Sequence, residues 1–118
     1  MALGMMSFTE HQADTEGIVK ALKSGSATEV SAYFDEFLDL KLLDKAEVKN
    51  MGRNQATITL KAFFDENSVR GFEKASDREI GNTMYMTGKL QGASRSYGIT
   101  VLLKIKDGVH RIISIRIS

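Results

Sequence analysis

The sequence contains no cysteine and no proline among its 118 residues, and it has only two histidines. Without cysteine the chain can form neither a disulfide nor a thiolate metal site, and it has no thiol nucleophile. His11 and His110 lie far apart and lack the spacing of zinc ligands, so we expect no metal. The absence of proline excludes a cis-proline turn. No apolar run approaches the roughly 20 residues of a membrane-spanning helix, and we expect no membrane span.

A chain of 118 residues predicts a single domain. Its net charge of +1 is unevenly distributed, because residues 1–69 carry 7 Lys/Arg and 11 Asp/Glu whereas residues 70–118 carry 9 and 4. Either the two parts complement each other within the domain, or the basic part forms an anion-binding sheet. Few aromatic residues accompany the basic ones and no recognition motif is present, so we do not expect nucleic acid as a partner. No phosphate-cradling glycine pattern is present, and we expect no cofactor.

Residues 1–14 are predicted to form a flexible N-terminus ahead of one folded domain at residues 15–118. The opening stretch "MALGMMSF" is apolar and uncharged. It resembles the end of a secretory signal peptide, although it is too short for a complete one and lacks the positive start. Two interpretations stay open: the gene product is exported to the periplasm or the medium, or the stretch is only the loose end of a cytoplasmic protein.

Two helices joined at a glycine are predicted next. "TEGIVKALKSG" has apolar residues on one helical face, and Gly25 can adopt the left-handed conformation that ends a helix. Ser26 and Glu29 then form a Ser-x-x-Glu capping box, which begins a second helix. Apolar residues follow at helical spacing: Val30, Tyr33, Phe34 and Phe37.

The rest of the chain predicts one more helix among several strands. "LDLKL" alternates apolar and polar residues as a half-buried strand does, and "DKAEVKN" predicts a turn and a short edge strand. "RNQATITLKAFFDEN" returns to helical spacing, with Ala56, Leu60, Phe63 and Phe64 on one face. After residue 69 only strand-like stretches separated by glycine-containing turns follow. Helices first and antiparallel strands afterwards predict an α+β fold.

The final hairpin can pair in two registers around its Asp-Gly turn. A two-residue loop would place Lys106 opposite Val109 and leave both faces mixed. A three-residue loop would place Lys106 opposite His110 and collect the aliphatic residues on one face, burying several more side chains at about 1.5–3 kcal/mol each. A glycine in the left-handed region also suits that loop. We therefore predict the three-residue loop, with His110 and Arg116 on the solvent side of the sheet.

The outer face in this register carries two neighbouring apolar residues, Leu102 and Ile112. Two such residues on a flat sheet favour a partner surface. We predict a homodimer through this outer face, with an interface that contains Thr100, Leu102, Ile112 and Ser114.

The order of these elements resembles the nuclear-transport-factor-2-like fold, which is also grouped as cystatin-like. The likeness is carried by "GIVKALKSGSATEVSAYF", "FLDLKL", "ATITLKAFF" and "YGITVLLKIKDGVHRIISIRIS", and it is closest to a small bacterial domain family of unknown function within that fold. The resemblance implies a curved antiparallel sheet wrapped around the helices, forming a cone with a pocket at its open end. Relatives include ketosteroid isomerases, polyketide cyclases, scytalone dehydratases and non-catalytic binding domains, so the fold alone does not decide the function.

Two functions stay open. The first is a non-enzymatic binding or protein-interaction domain, in which a small apolar ligand could bind in the cone at Tyr33, Phe64 and Tyr97. The second is a small isomerase, cyclase or dehydratase acting on an apolar ring-containing substrate, which would need a carboxylate base and a hydrogen-bond donor. Asp35 or Asp39 could be the base, and Tyr97 or Tyr33 the donor. No catalytic motif is present, so no residue is assigned as catalytic and the binding domain is favoured.

Overall fold

The structure is a computed structural model that describes residues 10–118, with side chains from residue 14 onward. The stretch "MALGMMSF", on which predicted export depends, lies outside the described residues. The elements in chain order are α1 (Glu10–Lys23), α2 (Ala27–Ser31), β1 (Phe34–Leu42), β2 (Val48–Gly52), α3 (Arg53–Glu66), β3 (Gly71–Ile80), β4 (Thr83–Gln91), β5 (Ser96–Lys106) and β6 (Val109–Ile117).

The predicted α+β fold is confirmed. Six strands form one open sheet in the order β2-β1-β6-β5-β4-β3, with β2 and β3 at its edges. All neighbouring strands are antiparallel except β1 and β6, which run parallel. The sheet is therefore mixed rather than wholly antiparallel, because the chain passes through α3 and four further strand segments before β6 returns beside β1.

The capping box is present, but the second helix is much shorter than the spacing predicts. Gly25 lies in the turn between α1 and α2 and has a φ of 71°. The Ser26 hydroxyl accepts a hydrogen bond from the Glu29 backbone amide at 3.1 Å. α2 nevertheless ends at Ser31. The prediction that Phe34 and Phe37 continue this helix is wrong, since both lie in β1, where Phe34 pairs with β6.

One side of the sheet, here called the inner face, packs on the helices and forms the core. The predicted inward residues of α3 are all buried. Alternate residues of β4 and β5 are buried with them, as the alternation of polar and apolar residues in these strands requires. The largest fully buried side chains are Ile18, Leu22, Phe34, Leu38, Leu60, Met86, Leu90, Leu103, His110, Ile112, Ile115 and Ile117.

The final hairpin uses both candidate registers, one at each end. At the turn, Lys106 pairs with Val109, so the predicted three-residue loop is wrong. Asp107 and Gly108 have φ values of 53° and 77°, as a two-residue turn with two left-handed residues requires. The register then shifts, because Leu103 pairs with Ile112 whereas Leu102 pairs with Ser114. The extra residue, Ile113, is a β-bulge that turns the remaining side chains over.

This bulge reverses two predicted orientations. His110 and Ile112 both have 0% exposure, so the prediction that they face solvent is wrong. On the far side of the bulge the predicted register is confirmed, because Ile115 and Ile117 are buried and Arg116 is exposed. Of the four residues predicted for the dimer interface, only Thr100, Leu102 and Ser114 lie on the outer face, where they are half-buried.

Candidate interaction surface

The core between the helices and the sheet is filled by side chains. Phe34 from β1 and Phe64 from α3 are almost fully buried in the hydrophobic cluster that also contains Phe63. Met84 and Met86 from β4 complete this group and are buried as well. Aromatic rings and methionine side chains pack well into irregular interior space, so these residues belong to the packed core.

Tyr97, the predicted hydrogen-bond donor, is tied to the structure. Its hydroxyl donates to Asn67 Oδ1 at 2.7 Å, and its ring meets Phe63 edge to face with centroids 5.5 Å apart. The Arg95 guanidinium lies 4.5 Å from the ring centroid, a distance typical of a cation–π contact. Tyr97 therefore joins the end of α3 to β5.

The other two predicted ligand-binding residues lie in different environments. Tyr33 is half-buried and lines a surface depression of about 320 Å³ between α1 and α2. Phe64 is 2% exposed and belongs to the core. The phenol oxygen of Tyr33 is so close to α1 that a β-carbon added at Gly17 would lie 2.1 Å from it. Binding by Tyr33, Phe64 and Tyr97 together stays a prediction, and each residue has a packing role.

Neither candidate base is placed beside Tyr97. Asp35 accepts a hydrogen bond from Lys106 Nζ at 2.6 Å, and this bond, with help from the Glu36 amide, lowers the pKa of its carboxyl below the usual value. Asp39 pairs with Ser114 on the outer face and accepts a hydrogen bond from the Asn50 amide at 2.9 Å. A carboxylate whose pKa is lowered by an ion pair, as that of Asp35 is, is a weak general base.

The buried His110 connects β6 to α1. Its backbone amide donates to Asp14 Oδ2 at 2.8 Å, and its Nδ1 lies 3.8 Å from the same oxygen. The imidazole has no exposed surface, so it has no contact with solvent. Within the described part of the chain, no three histidine or acidic side chains converge as metal ligands would, and no helix is long and apolar enough to cross a membrane.

The outer face of the sheet presents a row of directly opposite residues, here called the central row. Arg78 pairs with Tyr85, Tyr85 with Leu102, Leu102 with Ser114, and Ser114 with Asp39. The row therefore crosses five strands, from β3 to β1. Tyr85 is 45% exposed, and Ile80, in the next row on β3, is 53% exposed.

Basic residues surround the apolar centre of this face. Thr100 pairs with Arg116 on one side of the central row, and Lys104 pairs with Arg111 on the other. The Arg116 guanidinium lies 3.2 Å from Glu47, which offsets part of its charge. The sequence reasoning missed Tyr85, Ile80 and Arg78 as members of this surface. The alternation of "NTMYMTG" could have indicated Tyr85, since it places Tyr85 on the face opposite to the buried methionines.

Comparison with known proteins identifies the family. The model of the domain of unknown function DUF4783 matches residues 15–118. The chain belongs to the DUF4783 family. No curated protein matches it.

Solved structures place the family in its fold group. A DUF4783 protein from Bacteroides fragilis is 28% identical, with a TM-score of 0.76, over 86% of this chain and 93% of that one. A DUF4783 protein from Bacteroides ovatus is 25% identical, with a TM-score of 0.77, over 86% and 90%. An NTF2-like protein of unknown function from Cytophaga hutchinsonii is 10% identical, with a TM-score of 0.65, over 97% and 93%. The predicted nuclear-transport-factor-2-like fold is thereby confirmed.

Proposed function

We propose that this domain is a non-enzymatic protein-interaction module that associates with a second copy of itself through the outer face of the sheet. The observation that carries the proposal is the contrast between the two faces. Phe34, Phe64 and Met86 fill the inner side. At the middle of the outer side, Tyr85 is 45% exposed and lies beside the half-buried Leu102. Adjacent exposed apolar residues ringed by polar ones are typical of protein contacts.

The central row is complementary to itself. Leu102 on β5 is its middle residue, with Tyr85 and Ser114 on either side and Arg78 and Asp39 at the two ends. A two-fold axis parallel to β5, midway between two stacked sheets, would place Leu102 on Leu102 and Tyr85 on Ser114. It would also bring Arg78 of each copy towards Asp39 of the other. Such an isologous contact needs only one surface patch.

Charge around the central row limits the strength of this contact. Lys104 and Arg116 lie on opposite sides of Leu102, and in the two-fold arrangement Lys104 would approach its own counterpart. Salt screens repulsion between exposed charges, with a Debye length of about 10 Å at 0.1 M. The same salt also screens the attraction between Arg78 and Asp39, so we expect the dissociation constant to change little as salt rises. An association that weakens steeply with salt would contradict an apolar centre.

The replacement of Leu102 by Asp tests the proposal directly. It places a carboxylate at the two-fold centre, and we expect the dissociation constant to rise at least about 100-fold, which corresponds to about 2.7 kcal/mol. Sedimentation or native mass measurement up to high micromolar concentration gives the result. The matched control is Ile58→Asp, because Ile58 is 62% exposed on α3, away from the sheet. A wild type that stays monomeric, or a control that dissociates equally, would overturn the proposal.

The other predicted functions are less well supported by the geometry. A small apolar ligand in the cone, or an isomerase, cyclase or dehydratase reaction there, would need space outside the core that Phe34, Phe64 and Met86 fill. The groove of about 550 Å³ between α1 and β3 is lined in part by charged residues such as Lys20 and Lys23, which suits an apolar ligand poorly. Both candidates for the catalytic base accept hydrogen bonds from other residues: Asp35 from Lys106 and Asp39 from the Asn50 backbone amide. Binding on the outer face requires no such space, and this is why we place the function there.

Export to the periplasm or the medium also belongs to this proposal, on the basis of "MALGMMSF" alone. Sequencing the N-terminus of the protein isolated from its native cell tests it. A shortened N-terminus in the exported fraction is the expected result, and a retained Met1 in the cytoplasmic fraction would contradict it.

A further inference from the structure

Strand β3 forms one edge of the sheet. Within the described residues it pairs with β4 on one side, and no strand pairs with its other, free edge. It is ten residues long, and all its residues from Glu73 to Ile80 are exposed. Long exposed edges bind other strands, and proteins usually protect them with charges or bulges. β3 has both features, so the arrangement of its charges decides which strand it can accept.

A β-bulge at Ala75 sets the direction of every side chain in β3. Lys74 pairs with Gly88 whereas Ser76 pairs with Thr87, so one residue is extra. Before the bulge Phe72 and Lys74 point to the inner face and Glu73 to the outer face. After the bulge, even-numbered residues point to the outer face instead of the inner face. Asp77 and Glu79 point to the inner face, and Ser76, Arg78 and Ile80 point to the outer face.

We propose that β3 pairs antiparallel with β3 of a second copy, about a two-fold axis between Ala75 and Ser76. In this register Glu73 lies opposite Arg78 on the outer face. Lys74, which already forms an ion pair with Asp77 of its own strand at 2.5 Å, lies opposite the second copy's Asp77 on the inner face. Directly opposite residues in an antiparallel pair must share a face, and the bulge makes each of these pairs do so. The two-fold axis gives each pair twice.

The register one residue away fails on two counts. Centred on Ser76, it would place Lys74 opposite Arg78 and Glu73 opposite Glu79, which are like charges. It would also oppose residues that point to different faces, because a shift of one residue turns side chains over. The charges of the edge thus disfavour the register centred on Ser76 and favour the register about Ala75 and Ser76.

A groove beside the edge offers a place for the end of the second strand. It has a volume of about 550 Å³ and lies between α1 and β3. Its charged lining residues are three lysines, Lys20, Lys23 and Lys74, and two glutamates, Glu16 and Glu73, beside Phe72. In the proposed register Glu79 of the second copy lies opposite Phe72, on the same inner face. Its carboxylate would therefore reach the groove beside these lysines, where opposite charges attract.

Two reversals of charge test the pairing by complementation. In a dimer of Glu73→Arg alone or of Arg78→Glu alone, residues 73 and 78 carry like charges, and the two-fold axis places them opposite each other twice. An equimolar mixture of the two variants restores opposite charges at both positions. We expect each variant alone to associate at least about tenfold more weakly than its parent, and the mixture to recover the parent's affinity as a heterodimer.

The experiment is carried out in the Leu102→Asp background, which separates the edge from the outer face. Native mass spectrometry of the mixture identifies the heterodimer, and circular dichroism checks that each variant folds. A parent that stays monomeric at high micromolar concentration would overturn the edge pairing, even if the outer-face contact holds in wild type. A mixture that associates no better than its components would also overturn it.

Cysteine cross-linking gives an independent measurement, because the chain has no cysteine of its own. Glu73→Cys mixed with Arg78→Cys should form a disulfide-linked heterodimer, since opposite residues on paired strands have Cα atoms close enough for a disulfide. We expect little cross-linking of either variant alone. Equal cross-linking in the mixture and in the single variants would contradict the register.

Discussion

The inner and outer faces of the sheet are built from alternate residues of the same strands, yet they have different roles. On β5, Val101 and Leu103 are buried against the helices, whereas Thr100, Leu102 and Lys104 face away from them. The inner residues hold the fold together, because burial of apolar surface is the main stabilising term. The outer residues contribute less to stability and are therefore available for contacts with another molecule. Substitutions at neighbouring positions should accordingly separate folding from association.

The largest expected difference is between two adjacent leucines. Leu103→Ala should lower the free energy of unfolding by about 3 kcal/mol, because it leaves a cavity at a fully buried position. Leu102→Ala should lower it by less than about 1 kcal/mol in the monomer. Urea unfolding at low micromolar concentration measures both, since association would otherwise add apparent stability. Equal losses would mean that the two faces are buried alike.

Two glycines extend the same comparison to backbone packing. A β-carbon at Gly88, on the inner face of β4, would lie 2.4 Å from the Glu73 carbonyl oxygen and 2.5 Å from Phe72 Cε1. A β-carbon at Gly98, on the outer face of β5, has Ser118 Oγ as its nearest neighbour at 3.3 Å. Gly88→Ala should therefore cost about 2 kcal/mol through overpacking.

Gly98→Ala is the control for this substitution and should cost less than about 0.5 kcal/mol. Thermal unfolding of the two variants under identical conditions provides the measurement. If Gly98→Ala proved the more damaging, the assignment of these strand positions to inner and outer faces would be wrong.

Periodicity predicted most of the elements because most of them have one uninterrupted pattern. The helical spacing of Ala56 and Leu60 predicted α3, and the alternation of Leu38, Leu40 and Leu42 predicted the second half of β1. Each pattern is long enough to distinguish a period of 3.6 from a period of 2. The fold group followed from the order of the elements.

Bulges explain where the prediction failed. Between Phe34 and Asp39 strand β1 advances five positions while its neighbour β6 advances two, from Ile112 to Ser114. Because of this irregularity, the apolar residues at the start of β1 have a spacing that is typical of a helix. At Ile113 a second bulge joins the two registers that were alternatives for the hairpin. The alternation of apolar residues predicts one register for the whole hairpin, and His110 lies on the other side of the bulge from the segment that fits this register.

The candidate surface was predicted only in part for the same reason. Thr100, Leu102 and Ser114 lie on strand segments with regular alternation, so their outward direction could be predicted. Ile112 precedes the bulge and turns inward. Arg78 joins the surface through the pairing of β3 with β4, and pairing between strands depends on contacts that one strand's own pattern does not contain.

The smallest expected effect concerns an ion pair between β1 and the turn end of β5. The Lys106 ammonium holds the pKa of the Asp35 carboxyl below its usual value, at an N–O distance of 2.6 Å. Lys106 is about half exposed, so solvent screening limits the stabilisation to less than about 1 kcal/mol. Lys106→Met should lower the free energy of unfolding by this small amount at pH 7.

The pH dependence of that loss distinguishes an ion pair from a packing effect. A carboxyl whose pKa is lowered on folding stabilises the folded state above its ordinary pKa of 3.8, and this stabilisation is lost as the pH falls through the lowered value. The difference between wild type and Lys106→Met should therefore be constant from pH 7 to about pH 5 and shrink at more acid pH. Lys104→Met, two positions away on the same face, should show no such change. A difference that stayed constant down to pH 2 would assign the role of Lys106 to its aliphatic stem instead of its charge.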